Sequence, residues 1–218
     1  MNDRQSFKRE FMARIIDKEE KRLDIARASI PFFAQKGIAQ TSIDEIAKSA
    51  GVAKGTIYLY FKNKEEIILT IWDMLAARHQ EVFHARITET MSAQEKIVEL
   101  FNFSECKENH DKEELLILYQ NFLSTMLIDK TGLYTNYFAT ICQRDYDIIS
   151  ECIHQGIAKG ELEVHDVDKL TNTIIIFMEG TVIQAKMNNF NFEQTQSRLT
   201  QYITFLLDQY IRKEPCKN

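Results

Sequence analysis

Proline is nearly absent from this sequence of 218 residues: only Pro31 and Pro215 occur, and glycine is limited to seven. Sheets need frequent tight turns and turns need those residues, so a β-rich fold is disfavoured and long helices are expected. No apolar run approaches the roughly 20 residues that span a bilayer. The opening MNDRQSFKRE is charged and lacks the apolar centre of a signal peptide. No membrane role is expected, and the cytoplasm is the expected compartment. The four cysteines, Cys106, Cys142, Cys152 and Cys216, form no C-x-x-C pair. They read as reduced thiols that fill space like small hydrophobes.

Spacings for catalysis are also lacking. His79 and His84 lie five apart, off the shared helix face that a metal pair needs, and His110, His154 and His165 have no partner spacing. Asp145 and Asp147, near Cys142, Cys152 and His154, read as solvated charges beside core thiols. The stretch GVAKGT at 51–56 is one residue short of a phosphate loop and has no lysine after its second glycine. No nucleophile–base arrangement stands out. An enzyme, a metal and a cofactor are all unexpected.

What is present is a charge asymmetry. Residues 1–64 carry 13 Lys/Arg against 8 Asp/Glu, whereas residues 65–218 carry 14 against 24. A basic N-terminal segment on an acidic body suits one end that faces a polyanion. The net charge of −5 conceals this.

The apolar pattern is helical throughout, so the expected fold class is all-α. Residues 1–17 read as an extension. From Asp17 the positions Leu23, Ala26, Ile30, Phe33 and Ala34 recur at helical spacing, and Gly37 supplies a stop. Pro31 leaves the carbonyl of Arg27 without a partner, which predicts a kink in the last turns. Ser42 with Glu45 forms a capping box for a short helix that ends near Gly51. A second short helix is expected over 54–61, with Ile57 and Phe61 inward and Leu59 at the core or its boundary. Asn63 and Glu66 open a long helix to about Ile87. Further helices are expected near 92–107, 112–129, 133–159, 166–188 and 193–212.

A helix, a short capped helix, a glycine turn and another short helix form the layout of a helix-turn-helix DNA reader. Lys54 brings charge to the start of the reading helix, Gly55 permits close backbone approach, and Thr56 can donate to phosphate or base. The residues ARASIPFFAQKG at 26–37 and TSIDEIAKSAGVAKGTIYLYFKNKEEI at 41–67 resemble the tetracycline-repressor (TetR) family of regulators, most specifically in GTIYLYFKNKEE. The resemblance covers about a quarter of the chain. It implies an N-terminal helix-turn-helix domain (18–64) and a larger helical domain for ligand binding and dimerisation (65–218). It also implies that Thr41, Ser42, Lys54, Thr56, Tyr58, Tyr60 and Lys64 contact operator DNA. For Thr41 and Ser42 a capping role is the competing reading; for Tyr58 and Tyr60, packing at the domain edge; for Lys64, simple solvation.

Leu199, Tyr202, Ile203, Leu206, Leu207 and Tyr210 form a wide apolar face on the last helix, and Ile174-Ile175-Ile176-Phe177-Met178 is apolar on all sides. Such helices need cover from two directions. A homodimer built on Ile174, Phe177, Leu199, Tyr202, Ile203, Leu206 and Tyr210 is expected, and the resemblance implies the same; intrachain core is the competing reading. The resemblance further implies an effector cavity, for which Phe101, Tyr119, Phe122, Met126, Tyr137, Phe138, Tyr146 and Phe177 are candidates, each equally readable as core. The expected function is a regulator, acting as a repressor on a palindromic double-stranded operator and released by a small apolar or aromatic effector. An alternative keeps the DNA-binding scaffold but recruits protein partners without a small-molecule switch.

Overall fold

The computed structural model describes residues 3–103 and 112–212, with side chains from residue 18 onward. Every regular element among them is a helix: α1 (Asp3–Gln40), α2 (Ile43–Ser49), α3 (Lys54–Ile57), α4 (Lys64–Arg86), α5 (Ala93–Leu100), α6 (Lys112–Leu127), α7 (Leu133–Ala158), α8 (Val167–Asn188) and α9 (Phe192–Asp208). One isolated antiparallel bridge joins Leu162 and Ile211. None of the described helices is long and apolar enough to cross a membrane. Cys106, His110, Cys216 and the end of the helix expected over 92–107 fall outside the described residues.

The chain divides into two compact units, residues 1–77 with 117–122, and residues 78–116 with 123–218. In the first unit α1 contributes Ile25, Ala26, Ile30, Phe33, Ala34 and Ile38 to the core, a helical stripe that meets Ile46, Ile57, Phe61, Ile67, Ile68 and Ile71. The expected boundary at residue 64 coincides with the start of α4. Packing instead keeps the first half of α4 and the α6 segment Ile117–Phe122 with the N-terminal helices: Trp72 packs on Tyr119 and Phe122, with ring centroids 5.6 and 5.1 Å apart.

The stop read at Gly37 is where α1 leaves helical geometry. Pro31 lies inside α1 on its exposed side, whereas Gly37 leaves helical geometry at φ 72°, ψ 170°. A left-handed φ suits glycine, which has no Cβ to clash. Carbonyls freed there need other donors. Asn121 Nδ2 donates to the carbonyls of Phe33 (3.1 Å) and Ala34 (2.7 Å), and Thr41 Oγ1 to those of Phe32 (3.2 Å) and Gly37 (2.8 Å).

In the second unit α5, α7, α8 and α9 pack on one another around Ile97, Leu100, Ile149, Ile153, Ile174, Leu199, Ile203 and Leu207. Gly156 in α7 sits directly against Ala93 and Leu162. The Glu161 carboxylate accepts the backbone N–H of Ala93 at 2.8 Å, which satisfies a free donor at the start of α5.

Candidate nucleic-acid interface

The short helix α2 is fixed by its own first turn. The Ser42 hydroxyl accepts the Glu45 N–H at 3.3 Å, and the Glu45 carboxylate accepts the Ser42 N–H at 3.0 Å, the reciprocal capping box that the sequence predicts. Lys36 reaches the same carboxylate. Its hydrogen bond, reinforced by those from Ser42, pulls the Glu45 carboxyl down to about 2 from an ordinary 4.5.

A folded-state value below the unfolded one stabilises fully above pH 4.5 and less as the pH falls toward 2. Glu45→Gln is therefore expected to flatten the acid limb of thermal stability in that window. Melting curves of the two proteins across it check this, and equal pH dependence would refute it.

Gly51 turns the chain at φ 64°, where the Val52 N–H bonds the Ala47 carbonyl at 2.9 Å. The regular part of α3 is only Lys54–Ile57, shorter than the helix expected over 54–61. Residues 58–60 continue as tight turns held by Leu59 N–H to Thr56 O (3.1 Å), Tyr60 N–H to Ile57 O (3.0 Å) and Phe61 N–H to Ile57 O (2.9 Å). Ile57 and Phe61 are buried on either side of this turn and anchor it. Between the anchors Tyr58 is 53% exposed and Leu59 71%. Thr56 and Tyr60 are half-buried, and Lys54 and Gly55 are exposed, with no atom within 4 Å of where a Gly55 Cβ would lie.

Two readings need correction. Leu59, expected at the core or its boundary, projects outward, because one turn of helix cannot bury positions 57, 59 and 61 together. Thr41, expected to face DNA, is 2% exposed, and its hydroxyl caps the end of α1. Ser42 stays exposed.

Lys64 is half-buried, and its Nζ donates to the carbonyls of Ala39 (2.7 Å) and Thr41 (3.3 Å), so it ties the start of α4 to the α1–α2 turn. Lys54 pairs with Asp44 at 2.7 Å, which raises its pKa. Lys48 and Lys62 are exposed cations on the same helix-turn-helix segment. Sequence reading passed over both, although their place beside the reading helix was visible.

A bent first helix, a boxed second helix, a glycine turn and an outward turn on two buried anchors make a helix-turn-helix. Residues 25–71, from the second half of α1 into α4, match the family described as bacterial regulatory proteins, tetR family. Over this span the chain is similar to the TetR family of transcriptional regulators.

The HTH-type transcriptional regulator AcrR of Shigella flexneri is 26% identical over 201 residues, 88% of this chain and 90% of that protein. The fatty acid metabolism regulator protein of Bacillus subtilis (strain 168) is 40% identical over 80 residues, 37% of this chain and 41% of that protein. A TetR transcription regulator structure from Haloarcula marismortui superposes with a TM-score of 0.75 at 17% identity, over 89% of this chain and all of that one. It shares the fold.

The candidate effector residues fall in both units. Tyr119 and Phe122 belong to the first unit with Trp72. In the second unit Phe101 and Phe138 are buried, and Met126 and Tyr137 are half-buried. The Tyr146 hydroxyl donates to Asp168. Phe177 is exposed and stacks on Tyr202 at 6.4 Å, so it faces away from any interior lining.

The apolar faces of α8 and α9 also differ from the expected register. Ile174, Leu199 and Ile203 are intrachain core, and Leu206 and Tyr210 are half-buried. The outward stripe is Ile176 (66% exposed), Phe177, Ile183 and Met187 (76%) on α8, with Tyr202 and Phe205 (69%) on α9. Gly180 lies within this stripe and has nothing within 4 Å of its Cβ direction.

Among the described residues no group of three His, Cys, Asp or Glu could hold a metal. Burial together with Glu179 pushes the Cys142 thiol up to about 12, and burial raises that of Cys152, which disfavours the thiolate at both. Asp145 corrects the solvated reading: burial pushes its carboxyl up to about 6.

Proposed function

We propose that this regulator is a dimeric repressor. Residues 18–64 read duplex DNA, residues 65–218 dimerise and take up a small apolar or aromatic effector, and the effector releases the operator. The observation that carries the reading is the turn at 58–60, held outward between buried Ile57 and Phe61. A probe that enters the major groove has to be narrow, rigid and exposed at its tip. Tyr58 supplies a hydroxyl at that tip, and Thr56 and Tyr60 flank it.

Lys48, Lys54 and Lys62 supply positive charge for phosphates. The exposed Lys54–Asp44 pair is no obstacle, because a solvated pair of this kind exchanges readily for a phosphate.

The outward stripe on α8 and α9 supports a second copy as its cover. Large exposed apolar patches on a soluble protein mark interaction surfaces, and a two-fold axis would set the stripe that contains Ile176, Met187 and Phe205 against the same stripe of the second copy. Two reading turns then meet a palindromic operator at half-sites about one or more helical turns apart. An effector that binds the DNA-competent and released states with a difference of about 1–3 kcal/mol changes operator affinity roughly 5–150-fold. Aromatic and methionine side chains in the second unit, Phe101, Met126, Tyr137 and Phe138, favour an apolar effector.

The test uses duplexes selected from a random pool by the full-length protein. Tyr58→Ala is expected to weaken binding to them about tenfold, a loss typical of one groove contact, with an unchanged far-ultraviolet dichroism spectrum. Unaltered affinity for the selected duplex would remove Tyr58 from the interface. Failure of the wild type to enrich any duplex would end the whole reading.

A further inference from the structure

We propose that Leu59 reads a thymine in each operator half-site through the thymine methyl group. The inference rests on the DNA-binding role proposed above and deepens it. Leu59 is 71% exposed, and of the large hydrophobic residues exposed among the described side chains of the first unit, Tyr58, Leu59 and Ile117, two adjoin on this turn.

A leucine left in water at the tip of a reading element forgoes burial that the core could have supplied. Its backbone is not free to turn it inward. The bonds of the Leu59, Tyr60 and Phe61 N–H groups to Thr56 and Ile57 fix the turn, and buried Ile57 and Phe61 hold both ends.

The chemistry of the side chain narrows what it can meet. Leucine has no donor or acceptor, so it gains nothing from a phosphate oxygen and would strip water from a base edge that offers only polar atoms. The major groove presents one apolar protrusion, the C5 methyl of thymine, and aliphatic side chains pair with it by contact alone. Tyr58 and Thr56 carry hydroxyls and serve phosphate or polar edges. Leu59 is the member of the turn suited to sequence selection at an A·T pair. Since phosphate contacts position the protein without selecting a sequence, this contact supplies discrimination that the lysines lack.

The experiment starts from the duplex that the full-length protein selects. Each thymidine is replaced in turn by deoxyuridine, which removes only the methyl group, and binding is measured for the wild type and for Leu59→Ala. One thymine position per half-site is expected to lose about fourfold in wild-type affinity when substituted, the value of burying a single methyl, and about fifteenfold when both half-sites are altered. Leu59→Ala is expected to bind the thymine and uracil duplexes equally.

A flat uracil series with the wild type overturns the proposal. So does a Leu59→Ala protein that keeps the same thymine-to-uracil ratio, because another group then reads the methyl. A uniform loss with Leu59→Ala on both duplexes, without a methyl effect, places Leu59 against a sugar and overturns it too. In each of these results the protein still binds its selected duplex, so they are distinct from failure of the DNA-binding reading, in which no duplex is enriched.

Discussion

With Ile176 and Phe205 both changed to glutamate, the protein is expected to sediment as a monomer at concentrations where the proposed wild-type dimer forms. Both side chains are largely exposed in the single chain, at 66% and 69%, so the substitutions remove little intrachain packing. Helicity should therefore be retained. In a two-fold interface each change appears twice, and a carboxylate buried there without a partner costs several kcal/mol. A total of about 4 kcal/mol already raises the dissociation constant roughly a thousandfold.

Operator affinity should fall with it, by about 10² to 10⁴-fold, since two linked half-site contacts become independent ones. A double variant that remains dimeric would assign the stripe on α8 and α9 to another role. Loss of helicity would instead show that the two side chains serve the fold.

Gly156→Val is expected to be the most damaging single change in the second unit. A Cβ at position 156 would lie 2.6 Å from the Cβ of Ala93 and 2.9 Å from Leu162 Cδ1. Leucine can swing away, but a Cβ moves only with its backbone, so α5 and α7 would have to part. Overpacking of this kind costs about 1–3 kcal/mol. For Gly156→Ala a gain of about 1 kcal/mol in helix propensity offsets part of that cost. Valine adds two methyl groups to the same gap and has weaker propensity, so a loss near 3 kcal/mol or above is expected. Urea unfolding of wild type, Ala and Val variants measures the series. Equal midpoints would mean that the two helices have room to separate.

The order of effect, valine far worse than alanine, was not available from the sequence. Gly156 stands in an ordinary helical pattern, and nothing local marks it as a packing contact with a helix some 60 residues away. The capping residues are the opposite case. Ser42 with Glu45, and Asn63 with Glu66, were readable because a cap needs only a side chain and a backbone N–H three residues on.

Ile57 and Phe61 were legible as inward from their spacing of four, whereas Tyr58 was named only through the family resemblance. Leu59 was misread for a related reason. Hydrophobicity alone assigns leucine to a core, whereas the geometry of one turn leaves it no inward direction. The dimer residues show the same limit. The run Ile174–Met178 and the α9 face from Leu199 were read as apolar, but Ile183, Met187 and Phe205 were not named, and which positions face the chain's own core depends on the phase of its neighbours. Ile174, Leu199 and Ile203 went inward, and Ile176, Met187 and Phe205 were left outside.

The sequence by itself determined the all-helical class, the helix-turn-helix and most element boundaries, because helix periods, caps and glycine turns act over a few residues. Tertiary structure alone decided that Thr41 and Lys64 serve the α1–α2 turn, that the α6 segment Ile117–Phe122 joins the N-terminal unit, and which apolar stripe stays uncovered. Each of those outcomes depends on groups distant in the chain competing for the same donors and the same buried space, and local pattern carries no record of that competition.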